Sequence, residues 1–478
     1  MSKNFKMITE DIPKEKEIFS YEELYKAYID CKRHKSKTIN AIEFYKNEEE
    51  NLLKLYVDLN NGSYKIGKSI AFVIEYPKVR EVFAADFRDR IVHHLIMQNI
   101  MKYFESSFIR ETYSCRKGKG TLYGIKDLER DIKIMTNNYQ DDAWVLKMDI
   151  KSFFMSIEKQ RLCDMITEML QKKMVPLGVK EKRIIELCQM IIMHRPELNC
   201  IVKGEEEIWE KLPKNKSLFY VGEGKGLPIG NLTSQVFANY YLDKFDHFVK
   251  NNFKRICLYG RYVDDVFFVF KEKERLLESI PILKEYIKKI LHLDFHDDKI
   301  YIQNYKKGIK FVGGVVKQGR TYISNRTKEN FLKMVRGYVN KKVTTYNINE
   351  FIQRFNSYLG FLKHTAGYNI KKMAFGFQEI DHFRPYIEID KHYKVVKKNK
   401  WAFRNLEEKE EIEAKLHIND LWSLIYNMFV VRRAEVIDFG RYLLVKSGFD
   451  KFNHEGAIML NKYNHEGTRY ILYSINNF

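Results

Sequence analysis

Carboxylates lie where strand-like runs of the sequence end or turn. Asp149 follows the apolar run from Ala143 to Met148, and Asp264 and Asp265 separate two runs of β-branched and aromatic residues. Such runs are typical of strands. An acid at a turn between strands is ordinarily a turn former, because Asp bonds its own backbone and tolerates unusual dihedral angles. For Asp264 and Asp265 alone that interpretation would suffice, and a hairpin with two acids at its turn is predicted.

Asp149 changes the interpretation of the hairpin. If its strand lies beside the hairpin, Asp149 and Asp264 come together, with Asp265 next to them. Three converging carboxylates cannot all stay ionised without cations. Two Mg²⁺ ions would offset this repulsion and support phosphoryl transfer, one at the attacking hydroxyl and one at the leaving pyrophosphate. Lys299 follows the three acids in the chain, is predicted at the start of a later strand, and supplies a positive charge.

Three other segments have residue types suited to anions. Arg80, Arg88 and Arg90 are suited to phosphate, because a guanidinium can donate two parallel hydrogen bonds to it. A cluster of solvent-exposed arginines explains these positions equally well. The basic glycine-containing stretch within residues 107–121 could approach a ligand closely or be a plain surface loop. The Gly/Pro-rich loop 224–235 precedes a helix predicted from Val236 to Lys250, and such junctions offer free backbone N–H groups.

The composition favours a globular protein with a polyanionic partner. The chain has 478 residues, 45% of them hydrophobic, and a formal net charge of +20. This length predicts two or three domains, and the charge predicts nucleic acid or another polyanion as partner. Its six cysteines are scattered without a CxxC pair, as in reduced thiols. No apolar run is long enough for a membrane span and the N-terminus lacks a signal-peptide core, so a cytoplasmic location without membrane association is expected.

The periodicity of the sequence places these segments on elements. Helical patterns are predicted up to a turn at residues 60–63, from about 87, over 159–171, over 273–291 and, with basic character, over 327–372. The charge run 391–400 is predicted to be a linker, followed by a module that is helical to about 438 and then contains strands.

The combination of these motifs resembles bacterial reverse transcriptases over residues 70–380. The pattern consists of the YVDD hairpin (262–265), the preceding Asp-x-x-x-x-Phe strand (149–154) and the GLPIG loop (226–230), in the order found in that family. The resemblance implies an α+β right-hand polymerase fold with fingers, a ferredoxin-like palm and a helical thumb. The implied domains are an N-terminal helical segment (1–75), fingers with the start of the palm (76–148), the palm (149–318, with a fingers insertion at about 172–225), the thumb (319–390) and an accessory C-terminal module (391–478).

The resemblance also implies roles for single residues. Asp149, Asp264, Asp265 and the backbone carbonyl of Ile150 would bind two Mg²⁺ ions, for which Mn²⁺ could substitute. Lys299 would act on the leaving pyrophosphate, as a general acid or through its charge alone. The nucleotide-binding residues implied in the same way are Arg80, Arg116, Phe154 (the steric gate against a ribose 2′-OH), Ile229, Gly230 and Gln235.

The loop before the helix departs from most of the family. Most relatives have QGxxxSP, whereas this chain has IGxxxSQ at residues 229–235, which resembles the enzymes of diversity-generating retroelements and antiphage defence systems. Replacing Gln by Ile at 229 removes hydrogen bonds near the nascent base pair, and our hypothesis is relaxed base selection. An unchanged misincorporation spectrum in Ile229→Gln would contradict it.

The sequence therefore predicts an RNA-directed DNA polymerase that uses dNTPs and an RNA template to make cDNA. An antiphage defence enzyme with a partner non-coding RNA is our first interpretation, because the module after about residue 385 exceeds a minimal retroelement enzyme. A mutagenic retroelement enzyme and an RNA-binding scaffold without turnover are the alternatives. An RNA polymerase or a diguanylate-type cyclase fits less well with Phe154, YVDD and the GLPIG loop. The sequence leaves homo-oligomerisation open.

Overall fold

The structure is a computed structural model that describes most of the chain. Side chains and backbone are described for residues 17–35, 38–75, 78–254, 256–376, 378–390 and 394–398 with few exceptions, and strands are described between 436 and 474. The described residues fall into two compact units, Met1–Thr327 with His364–Gly367, and Lys328–Lys363 with Tyr368–Phe478.

Helices dominate the described residues of both units. They are α1 Tyr21–Lys35, α2 Ile39–Lys46, α3 Glu48–Asn61, α4 Phe87–Ser107, α5 Thr121–Met135, α6 Phe153–Ser156, α7 Lys159–Lys173, α8 Val179–Met193, α9 Glu206–Glu210, α10 Leu232–Tyr241, α11 Asp243–Phe253, α12 Lys273–Leu291, α13 Asn325–Arg336, α14 Thr345–Leu362 and α15 Tyr368–Phe375.

The strands form five small sheets. They are β1 Ser69–Ile74, β2 Arg80–Ala84, β3 Trp144–Asp149, β4 Cys200–Val202, β5 Cys257–Tyr262, β6 Asp265–Phe270, β7 Tyr301–Asn304, β8 Ile309–Phe311, β9 Gly314–Lys317, β10 Arg320–Ile323, β11 Ile387–Ile389, β12 Val395–Lys397, β13 Val436–Asp438, β14 Tyr442–Lys446, β15 Ala457–Tyr463 and β16 Arg469–Ser474.

A four-stranded antiparallel sheet in the order β5-β6-β3-β7 is central to the first unit. Counted along the chain, its strands lie in the order 2-3-1-4, with helices in the connections from β3 to β5 and from β6 to β7. This is the strand order of a ferredoxin-like sheet, as the resemblance implied. Residues Val266–Phe270 of the central strand β6 are all buried, because helices or neighbouring elements cover both faces of the sheet.

The β5–β6 hairpin confirms the predicted geometry. The register runs from Cys257 opposite Phe270 to Tyr262 opposite Asp265, which leaves Val263 and Asp264 as the turn. Gly260 of β5 permits a close approach, since a Cβ there would lie 2.4 Å from both the Phe267 ring and the Tyr113 hydroxyl.

A separate three-stranded sheet has the order β2-β1-β4. β1 pairs antiparallel with β2 and parallel with β4, so the segment after α8 returns to the edge of this sheet. The buried carboxylate of Glu81 on β2 accepts hydrogen bonds from Ser217 Oγ (2.6 Å) and Leu218 N (2.7 Å). These bonds attach the insertion to β2.

The N-terminal helices pack on α4 through one apolar core. Leu24, Tyr28, Leu55 and Leu59 are fully buried and belong to the same cluster as the apolar residues of the central sheet. Helix α3 ends where the turn was predicted, with Gly62 in the left-handed region at φ 78°. Among the described residues, no helix combines the length and the apolar character needed to cross a membrane.

Two predictions about secondary structure need correction, and a third lies mostly outside the described residues. The helix predicted from Val236 begins at Leu232, so Ser234 lies within its first turn. Part of the predicted linker is a strand, since β12 pairs antiparallel with β11. The helix predicted to about residue 438 lies mostly outside the described residues, but strands β13 to β16 form one antiparallel sheet after it.

Candidate active site

The antiparallel pairing of β3 with β6 brings the predicted acids together. Asp149, the last residue of β3, lies opposite Asp265, the first residue of β6. The sequence predicted that Asp149 and Asp264 come together, with Asp265 next to them. Asp264 occupies the adjoining turn position, and its charge interacts with those of both other acids. The sheet therefore carries all three carboxylates at one end of its two central strands.

Two lysines offset part of this negative charge. Lys299 Nζ lies 2.6 Å from Asp149 Oδ2, and Lys147 Nζ lies 3.2 Å from Asp265 Oδ1. Lys147 was not singled out from the sequence, although it precedes Asp149 by two residues. Because side chains alternate along a strand, positions 147 and 149 share one face of β3, and this periodicity could have identified it.

Burial raises the pKa of Asp264 to about 6, and the charge of Asp149 adds to the shift, while Arg80 opposes it. Burial also raises the pKa of Asp265, and Lys147 opposes that shift. At both carboxylates the effect of burial outweighs that of the neighbouring cations.

The three acids do not form a ready-made metal cluster. Among the described residues, no group of three or more His, Cys, Asp or Glu side chains has that arrangement. Two of the three carboxylates are paired with lysines instead. Ile150, whose carbonyl was predicted as a ligand, is buried and forms a β-bridge with Phe295 beside the site.

Arg80 and Lys78 bring positive charge towards the acids. Arg80 is the exposed first residue of β2, and its charge lowers the pKa of Asp264. Lys78 acts in the same direction on Asp265. The predicted nucleotide contact of Arg80 thus agrees with its position near the turn.

Phe154 and the GLPIG loop lie against each other. Leu227 N donates a 2.8 Å hydrogen bond to Phe154 O, and the Phe154 ring packs on Phe153 with centroids 5.5 Å apart. Phe154 and Ile229 both pack on the small cluster around Phe83 and Leu218. Ile229 therefore has an apolar packing role in addition to its predicted position near the base pair.

Gly230 lets the loop reach β2. Phe83 N donates to Ile229 O at 2.8 Å, and a Cβ on Gly230 would lie 2.9 Å from Phe83 O. With φ at 130°, the position also favours glycine on conformational grounds. A glycine here is required by close approach and by conformation.

Arg116 is held within its own loop, whereas Gln235 is exposed. Arg116 donates to Glu105 Oε2 (2.9 Å), Ile109 O (2.6 Å) and Thr112 O (3.1 Å), and its side chain is only 8% exposed. The predicted nucleotide contact is therefore not supported, because the guanidinium already has internal partners. Gln235 is exposed and lines a cavity of about 490 Å³ together with Arg116 and Met97.

We predict that Asp264→Asn stabilises the metal-free protein. Folding favours the protonated acid, so the contribution of this group to wild-type stability is fully present below pH 3.8 and is lost as pH rises through about 6. The wild type at neutral pH therefore retains the cost of the half-buried charge, which the amide removes. For a fully buried carboxylate, the substitution would raise the free energy of unfolding by ~3 kcal/mol. Because solvent screens this partly exposed group, we expect an increase of about 1 kcal/mol.

Thermal unfolding in EDTA at several pH values measures this effect. The matched control is Asp298→Asn, which removes an exposed acid from the neighbouring turn Asp297–Lys299 and should leave the unfolding temperature unchanged. The advantage of Asp264→Asn should shrink as pH falls below about 6. An advantage independent of pH would contradict the assignment of the shift to this carboxylate.

Comparison with known proteins gives a family and a fold. The profile of the family described as reverse transcriptase (RNA-dependent DNA polymerase) matches residues 77–316, half of the chain. This segment contains the three acids, Lys299, Phe154 and the GLPIG loop. None of the curated proteins matches the sequence.

Solved telomerase structures are similar to this chain at low identity. The apo telomerase of Candida tropicalis truncated from its C-terminal domain is 14% identical with a TM-score of 0.41, covering 54% of this chain and 55% of that one. The Candida albicans telomerase in complex with a fragment of telomeric RNA is 12% identical with a TM-score of 0.39, covering 64% and 60%. This chain thus spans little more than half the length of those chains.

The assignment therefore rests on the family match and on the α+β architecture that surrounds it. The matched residues run from the segment before β2 to β9 and include every strand of the central sheet. The chain belongs to the reverse transcriptase (RNA-dependent DNA polymerase) family and has the α+β right-hand polymerase fold of that family.

Proposed function

We propose that this chain is an RNA-directed DNA polymerase that makes cDNA from an RNA template and dNTPs. The observation that carries the proposal is the convergence of Asp149, Asp264 and Asp265 at one end of the central sheet. The net charge of +20 supports a nucleic-acid partner. In the proposed division, residues 76–148, 149–318 and 319–390 are fingers, palm and thumb, with a helical segment before them and an accessory module after them.

The carboxylates fit divalent cations. Hard carboxylate oxygens are the ligands that Mg²⁺ prefers. Burial and the charge of Asp149 disfavour the ionised form of Asp264, and a bound cation would favour it. Asp149, Asp264, Asp265 and the Ile150 carbonyl are the proposed ligands, with Mn²⁺ as a substitute. Bound ions would make the primer 3′-hydroxyl a better nucleophile and stabilise charge on the pyrophosphate.

The chain's own residues would orient the nucleotide. Arg80, exposed on β2 and close enough to influence Asp264, is placed to contact the triphosphate. Lys299 would exchange part of its pairing with Asp149 for the leaving phosphate, where its ammonium donates hydrogen bonds or a proton. Gly230 and Gln235 remain candidates for contacts to the nascent pair and template. We assign Arg116 to shaping its loop.

The finer proposal is an antiphage defence enzyme with a partner non-coding RNA as template. It rests on the IGxxxSQ loop, on the "ANYYL" and "YSCRKGKGT" segments, and on the chain beyond about residue 385. A mutagenic enzyme of a diversity-generating retroelement is the alternative. Repeated template and variable sequences in the neighbouring DNA would favour the retroelement, and a structured non-coding RNA would favour defence.

The activity is tested by DNA synthesis on RNA. The purified protein is incubated with its co-purifying RNA, Mg²⁺ and labelled dNTPs, and the product is digested with DNase. We expect DNase-sensitive product that falls at least ~10³-fold in Asp264→Ala and persists in Asp298→Asn. Absence of product with every template and primer tried, including co-purifying RNA, would favour an RNA-binding scaffold.

We predict that Phe154→Ala relaxes selection against ribonucleotides. The half-buried ring packs on Phe153 and on the cluster around Phe83, which fixes its position. Removing it leaves room for a 2′-hydroxyl, and we expect the ratio of kcat/KM for dNTP over NTP to fall about 10- to 100-fold. Phe219→Ala, which removes an aromatic ring packed on the same Phe83, is the control. An unchanged ratio in Phe154→Ala would exclude the steric role.

A further inference from the structure

Val263, the first residue of the turn in the β5–β6 hairpin, has an unusual backbone conformation. Its φ is 57°, in the left-handed region. A β-branched residue rarely adopts this region, and the conformation persists only where surrounding contacts enforce it. Because Val263 immediately precedes Asp264, its conformation sets the direction in which Asp264 leaves the turn.

The backbone N–H and the carbonyl of Val263 both form hydrogen bonds with buried side chains. Its N–H donates to Ser114 Oγ at 3.2 Å, and its carbonyl accepts from Arg261 Nη1 at 2.9 Å. Ser114 and Arg261 are buried, at 2% and 0% exposure. The two contacts come from different parts of the chain, so the turn is fixed on both sides of its strained residue.

Arg261 has its donors fully used. In addition to the Val263 carbonyl, Nη1 donates to Asn239 Oδ1 (2.8 Å), Nη2 donates to Asn239 O (3.0 Å) and to Asp246 Oδ2, and Nε donates to Asp246 Oδ1 (2.7 Å). The five N–H groups of a guanidinium thus meet five acceptors. Since Asn239 lies on α10 and Asp246 on α11, two helices fix the plane of the guanidinium.

The partners of Arg261 are themselves fixed. Asp246 also accepts from Tyr259 OH (2.6 Å) and Thr112 Oγ1 (3.1 Å), and Asn239 Nδ2 donates to Ser114 O (3.2 Å). A network that is satisfied at every member is rigid, because any shift would leave a buried polar group unpaired. Its rigidity is thereby transmitted to the Val263 carbonyl.

We infer that Arg261 and Ser114 are positioning residues for Asp264. They hold Val263 in the left-handed conformation, so that the Asp264 carboxylate stays with Asp149 and Asp265 at the sheet end. The catalytic consequence rests on the proposed function, whereas the positioning itself does not. A network that only stabilises the palm would lower stability when weakened without disturbing the turn.

Ser114→Ala and Thr112→Val separate these two roles. Each removes one buried hydroxyl from the same network and leaves the Arg261–Asp246 pair intact, but only Ser114 contacts the turn. We expect kcat to fall about 3- to 10-fold in Ser114→Ala, with KM for dNTP nearly unchanged. In Thr112→Val we expect kcat within about twofold of the wild type at a similar or larger loss of unfolding temperature.

Two further measurements do not depend on turnover. Hydrogen exchange of the peptide containing Val263 should be faster in Ser114→Ala than in Thr112→Val, and Mn²⁺ binding measured by electron paramagnetic resonance should weaken only in Ser114→Ala. Equal exchange and equal Mn²⁺ binding in the two variants would overturn the positioning role. If the wild type makes no DNA, the proposed function fails, but these two readouts still decide the positioning claim.

A second substitution, at Val263, is expected to reduce the effect of Ser114→Ala. Asn adopts the left-handed region more readily than valine, so Val263→Asn reduces the need for the network to hold the turn. Ser114→Ala should therefore cost less in kcat and in Mn²⁺ affinity in the Val263→Asn background than in the wild type. An undiminished cost of Ser114→Ala in that background would contradict the inference.

Discussion

The repulsion among Asp149, Asp264 and Asp265 is the constraint on which the rest of the site depends. The antiparallel register of β3 and β6 creates it, because it sets Asp149 opposite Asp265. The buried residues Val266 to Phe270 hold β6 in the core, so charges that water would otherwise separate stay together. Lys147 and Lys299 pair with two of the carboxylates, and burial together with the charge of Asp149 raises the pKa of Asp264.

Local patterns in the sequence were enough to predict the elements that carry the acids. The hairpin, strand β3, and helices α7 and α12 all lie close to where alternation and helical periodicity placed them. The pairing of Asp149 with Asp265 could not be predicted in the same way, because register depends on contacts between strands distant in sequence. The internal partners of Arg116 could not be predicted for a related reason: Glu105 and two carbonyls become its acceptors only when the loop folds back.

Strand β2 contributes side chains to both the surface and the core. Side chains alternate across a strand, so Arg80 is exposed while its neighbour Glu81 is buried. Glu81 attaches the insertion through Ser217 and Leu218, and Leu218 packs in the cluster that also supports Phe154. The segment around Leu218 therefore supports the position of the proposed steric gate.

The charges of Asp246 and Asp264 are balanced by different means. Asp246 accepts hydrogen bonds from Arg261, Tyr259 and Thr112, so its negative charge is satisfied within the protein. Asp264 lies with two other acids, and its charge is left for a ligand to offset. A buried pair that needs nothing from outside can hold the turn in a strained conformation. The network around Arg261 thus supplies the rigidity of the turn that carries Asp264.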